Sequence, residues 1–123
     1  MSVDLALLPF DADIPADGTR PAFAFSHTVL SCERDYALWE DIQALDAAPV
    51  PDDFTSYLSR DNSDGYEEVH YGRTVETTYG EPLRYTTAAA LLTATPSGSG
   101  KNHAIWAYLA ALPPETKVAL YWH

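Results

Sequence analysis

Cysteine occurs once in this chain, at Cys32, which excludes an internal disulfide and a multi-thiol metal site and fits a reducing cytoplasm. Lysine is nearly as scarce. Lys101 and Lys117 are the only two, and together with Arg20, Arg34, Arg60, Arg73 and Arg84 they oppose 18 acidic side chains, leaving a formal charge of −11. No stretch supplies the basic stripe that phosphate neutralisation requires, so direct nucleic-acid binding is not expected, and an anionic membrane surface repels such a chain. Long apolar runs are lacking too. The run from Leu5 to Phe10 follows Asp4 instead of a basic region and is too short to span a bilayer, so the chain is expected to be neither secreted nor membrane-inserted.

What is present is the material of one core. At 123 residues and 46% hydrophobic content the chain reads as a single domain over 1–123. Val3 to Leu8 predicts a buried strand, and DADIPADGTRP after it a loop. AFAFSHTVL alternates Phe23, Phe25, His27 and Val29, the period of a half-buried strand that would pair antiparallel with the first. Ser31 is placed to cap a helix over residues 32–46, whose stripe of Leu38, Trp39, Ile42 and Leu45 turns Glu33, Glu40 and Asp41 outward. Pro49 and Pro51 end it, and DDFTSYL predicts a short second helix resting Phe54 and Leu58 on the core.

Residues 66–85 read as irregular structure with short strands; the two YG dipeptides in it are too few to make a repeat. A short helix capped by Thr86 or Thr87 should run to Ala94, and NHAIWAYLAAL should present Ile105, Tyr108, Leu109 and Leu112 on one face before Pro113 and Pro114. KVALYW predicts an inner strand. The expectation is an α+β domain with a small antiparallel or mixed sheet that includes both terminal strands side by side, packed by two to four helices.

Motifs with a chemical mechanism are tested and mostly fail. SGSGKNH has the glycines and lysine of a phosphate loop, but Thr95 stands where a Walker motif needs glycine and Asn102 where it needs Ser or Thr. RDNSDGYEEVHY places Arg60 and Tyr71 at the first and twelfth positions of a calcium loop, where carboxylates are required; a looser divalent site from Asp61, Asp64, Glu67 and Glu68 is the residual alternative to a solvated loop. His27, His70, His103 and His123 show no metal-ligand spacing. Cys32, read as lying in the first turn of a helix, would have its thiol pKa lowered by the dipole, against the commoner outcome of a buried small side chain. Adjacent carboxylates are abundant enough in so acidic a chain that pairing alone does not indicate acid–base catalysis. No catalytic residue, metal ligand or cofactor is assigned.

Two candidate surfaces follow. Glu33, Glu40 and Asp41, continued by Asp46, Asp52 and Asp53, form a row of negative charge suited to a basic partner. Tyr66, Tyr71, Tyr79 and Tyr85, interleaved with Arg73 and Arg84, make an aromatic segment suited to a protein partner or, alternatively, to a nucleotide or metabolite held between Tyr71, Tyr79 and Tyr85. The plain alternative for the acidity is solubility, or a high-salt or GC-rich origin.

FSHTVLSCERDYALWEDIQAL, VPDDF with Tyr57, YGRTVETTYGEPLRYTTAAAL and AIWAYLAALPPETKVALYWH together resemble small uncharacterised acidic proteins of tailed phages and prophages, over most of the chain after residue 25. That family carries no established catalytic residues, so no site is transferred. The resemblance implies a non-enzymatic inhibitor that binds a basic, nucleic-acid-handling host protein, of anti-CRISPR or other anti-defence type, its acidic face standing in for nucleic acid. A phage structural or assembly accessory is the further alternative.

Overall fold

The computed structural model describes residues 3–13, 23–26, 28–61, 68–97 and 100–123. Strand β1 (Leu5–Asp13) is the axis of the fold. The C-terminal strand β8 (Lys117–Trp122) lies antiparallel beside it, in register from Leu5↔Trp122 to Phe10↔Lys117, so both terminal strands are adjacent and β8 is an inner strand. Beyond β8 come β7 (Arg84–Thr87) and the edge strand β4 (Ala48–Pro49), both antiparallel. On the other side of β1, β3 (Leu30–Ser31) pairs at Ala6 and Leu7, which completes a five-stranded antiparallel sheet.

The same β1 continues past that sheet. Its residues Asp11–Asp13 pair with β2 (Phe23–Phe25), which makes a single parallel register, Phe25↔Thr55, with β5 (Thr55–Asp61); β5 then pairs antiparallel with β6 (Glu68–Arg73). The sheet is therefore mixed at this end. Helices α1 (Tyr36–Gln43), α2 (Ala88–Leu91) and α3 (Gly100–Ala111) complete the described elements, giving an α+β fold.

Strand alternation sorts the core into two layers. Leu5 and Leu7 on β1, with Val118 and Leu120 on β8, face the helices and meet Leu38, Trp39, Ile42, Leu91, Ile105, Trp106 and Leu109. The intervening Leu8, Phe10 and Ala119 point the other way, onto Val50, Phe54 and Leu83. Phe10 meets Phe54 and Tyr85 edge-on, at ring-centroid distances of 4.9 and 5.5 Å. Trp39 and Trp106 are buried, and each indole N–H reaches a carbonyl, Val3 and Ala94 respectively, at 2.9 Å.

Several elements differ from the sequence expectation: β1 runs on to Asp13, through residues expected to begin the loop, and α2 ends at Leu91 and not at Ala94. Helix α1 starts at Tyr36, capped by Asp35, whose carboxylate accepts from the Leu38 N–H at 3.1 Å. Ser31 does not cap it, because Leu30–Ser31 and the Cys32 N–H are already bonded to β1. DDFTSYL is not a helix: Asp52–Asp53 form a turn closed by the Phe54 N–H on Pro51 O, and β5 begins at Thr55, where Thr and Tyr favour extended backbone. A spacing of four positions is compatible with a helix and with an extended segment alike, so the apolar pattern of this stretch does not decide between them.

The strand expected over residues 22–30 breaks at Ser26, whose buried hydroxyl donates to the carbonyls of Pro9 and Thr28. Val29 is exposed, and His27 lies outside the described residues. In α3 the buried face runs Asn102, Ile105, Trp106, Leu109, leaving Tyr108 exposed; the face is rotated because Trp106 and Asn102 both have partners in the interior.

Candidate functional site

The acidic residues are placed by α1 and the chain that leaves it. Leu38, Trp39 and Ile42 bury one side of the helix, so Glu40 and Asp41 are turned to solvent. The chain then passes Asp46, makes edge strand β4, and rounds the sheet edge to the turn at Asp52–Asp53 before Phe54 enters the second core layer. All five carboxylates are exposed, and residues 35–59 contain no lysine, arginine or histidine. The acids are therefore exposed at three places along one chain segment, the outer side of α1, the chain leaving it and the turn before Phe54, and the exposed Arg84 of β7 stands opposite Pro49 of β4 within that span.

Glu33 departs from that row. It precedes α1, and its backbone is clamped by the buried Asn102 of α3: the Glu33 N–H donates to Oδ1, and Nδ2 donates to the Glu33 carbonyl, both at 2.8 Å. Its side chain is exposed at the opposite end of the helix from Asp46. Beside it Arg34 makes a two-pronged ion pair with Asp4, at 3.0 Å for both bonds, which holds the Asp4 carboxyl below the usual carboxylate range.

The aromatic set divides between the two faces of the sheet. Arg84 pairs with Leu120 across β7 and β8 and shares its face, whereas Tyr85 is half-buried on the reverse, against Phe10. Tyr66 lies outside the described residues, as does the acidic loop at 62–67, and Tyr71 and Arg73 are described only as backbone in β6. Among the described residues, Tyr79 and Tyr85 line separate hollows.

Tyr79 and Arg84 instead line a cleft of about 750 Å³ between the end of α1 and the turn at 77–82, with Ile42, Leu45, Leu120 and Trp122 as its apolar surface and Gln43, Thr77 and Glu81 as polar neighbours. The turn is held firmly. Thr77 is buried; its N–H donates to Glu81 O at 2.8 Å, and its hydroxyl oxygen accepts from the Tyr79 and Glu81 N–H groups. Gly80, at φ 77°, supplies the left-handed residue that closes it. The Thr78 hydroxyl meets the Tyr121 hydroxyl at 2.9 Å, tying the turn to β8. A shallower hollow of about 330 Å³ adjoins along β4 and β7, lined by Asp46 and Tyr85, and Ala47 borders both.

Gln43, Thr77, Glu81 and Trp122 were not among the sequence candidates; the only local signal was TTYGEP, which reads as a turn. Cys32 precedes α1 instead of opening it, and burial pushes its thiol pKa up to about 12, the reverse of activation. Among the described residues no three His, Cys, Asp or Glu side chains are grouped to hold a metal ion, and no helix is long and apolar enough to cross a membrane. Helix α3 begins at Gly100, with Lys101 its second residue, so the phosphate-loop-like segment runs into a helix start. In comparisons with protein families, curated proteins and solved structures, the chain matches none.

Proposed function

We propose that the chain is a non-enzymatic binding protein that engages a basic, nucleic-acid-handling host protein through the acidic segment, as a phage-type inhibitor of a host defence such as CRISPR. The supporting observation is the segment from Glu40 to Asp53: five exposed carboxylates with no basic residue between them in the chain. Such a segment offers negative charge to a groove built for phosphates and steers encounter with it at low ionic strength. The N-terminal placement of Glu33 removes it from the central contact. Immobilised protein is exposed to bacterial lysate, retained proteins are identified, and their complexes are titrated with salt. Retention of a basic nucleic-acid-binding protein that is released as salt rises supports the reading; complexes indifferent to salt count against it.

The cleft beside Tyr79 and Arg84 favours a second reading, a small nucleotide- or metabolite-binding protein. Thermal shift against nucleotide and metabolite panels distinguishes it, since a basic-protein binder gives no shift there.

A further inference from the structure

The acidic segment and the cleft are carried by the same stretch of chain. Glu40 and Asp41 lie on the outer side of α1, Ile42 of the next position faces inward to the cleft, and Asp46 follows the helix end. The carbonyl end of α1 carries the negative pole of its dipole, and no basic residue occupies its last turn. Inside the cleft the chemistry changes. Leu120 and Trp122 give an apolar floor, and Tyr79, 41% exposed, presents an aromatic wall on a turn already fixed by Thr77 and Gly80. Arg84 and Glu81 add a donor fork and a carboxylate acceptor, the two kinds of partner that an extended peptide backbone requires.

We infer that this cleft receives a linear basic segment of the partner protein, seating one large apolar or aromatic side chain against Tyr79, Leu120 and Trp122 while flanking lysines or arginines lie on Glu40, Asp41 and Asp46. The inference rests on the reading of the chain as a binder of a basic protein. Charge selects the occupant. A nucleotide brings phosphates to an acidic rim, and a second copy brings another chain of charge −11. The volume suits an anchoring side chain with its neighbours, and a pre-set wall lowers the ordering cost of binding. Interfaces concentrate their affinity in such central aromatic anchors, with charge at the rim governing encounter.

Fluorescein-labelled lysine-flanked peptides, one with a central phenylalanine and one with a central serine, test this by fluorescence anisotropy against the intact protein and its Tyr79→Ala variant. The phenylalanine peptide should bind about tenfold more tightly than the serine peptide, and Tyr79→Ala should abolish that difference. Amide chemical-shift mapping on the unmodified protein gives a readout independent of the variant's folding: shifts are expected at 42–47 and 77–84. Equal binding of the two peptides, with shifts confined to the outer side of α1 and to Asp52–Asp53, overturns the cleft as the anchor while leaving the acidic segment intact. Failure of both peptides to bind while a salt-sensitive host complex forms overturns the cleft alone. Failure of both in the absence of any such complex removes the acidic segment as well.

Discussion

Asn102 satisfies both backbone groups of Glu33 from a buried position, so truncating it strands a donor and an acceptor at once. Asn102→Ala should lower stability by about 2–3 kcal/mol in chemical denaturation, against a near-neutral Lys101→Ala one residue away on the exposed side. Asp35 caps α1 and also accepts from the backbone N–H and hydroxyl of Ser97, at 2.9 and 2.7 Å. Those bonds, the Ser97 backbone bond foremost, hold its carboxyl below the ordinary value of 3.8. A depressed folded pKa contributes stability above the unfolded value that disappears as pH falls through the folded one. Asp35→Asn should therefore flatten the loss of stability below about pH 4, and Asp35→Ala should cost about 1 kcal/mol at neutral pH. Cys32, with its thiol pushed up to about 12, should react with iodoacetamide at mildly alkaline pH far more slowly in the folded than in the unfolded protein; equal rates would contradict its placement. The clamp of Asn102 on Glu33 and the bonds of Ser97 to Asp35 are not legible in the sequence, because each joins residues distant in the chain.

At the scale of elements, the first half of β1, β8, the start of α2 and the inward Leu38, Trp39 and Ile42 of α1 were legible from apolar period and capping residues, since burial is decided there by local pattern. Thr87 does cap α2, accepting from the Ala90 N–H at 3.1 Å. The start of α1 was not legible, because Ser31 and Asp35 are both good caps and only pairing of Leu30–Ser31 with β1 decides between them. Ser31→Ala should accordingly leave stability nearly unchanged where Asp35→Ala does not. Strand β5 was misread because a spacing of four positions fits either structure, and pairing with β2 and β6 selects the extended one. The turn at 77–81 depends on Gly80. No atom lies within 4 Å of a Cβ built there, so Gly80→Ala tests backbone strain alone and should cost about 1–2 kcal/mol. It should also blunt peptide discrimination by the cleft, whose wall this turn forms.

Across the whole molecule, charge was legible as a total and as a run in the sequence, whereas its geometry was not. A row from Glu33 through Glu40 and Asp41 to Asp46, Asp52 and Asp53 was expected; Glu33 precedes α1, Glu40 and Asp41 are exposed on it, and Asp46, Asp52 and Asp53 are exposed on the chain that follows. The tyrosine segment likewise separates, because neighbouring strand residues face opposite ways and Arg84 and Tyr85 are neighbours. What remains is one carboxylate-rich chain segment of a two-layered α+β fold, exposed beside a cleft that Arg84 also lines. The most direct measurement is the affinity of the isolated host complex as a function of ionic strength, for the natural chain and for Glu40→Lys with Asp41→Lys. The account predicts that affinity falls steadily as salt rises and that the double reversal weakens binding about tenfold or more at low salt, the gap closing at high salt. Affinity that neither salt nor the reversal changes would contradict it.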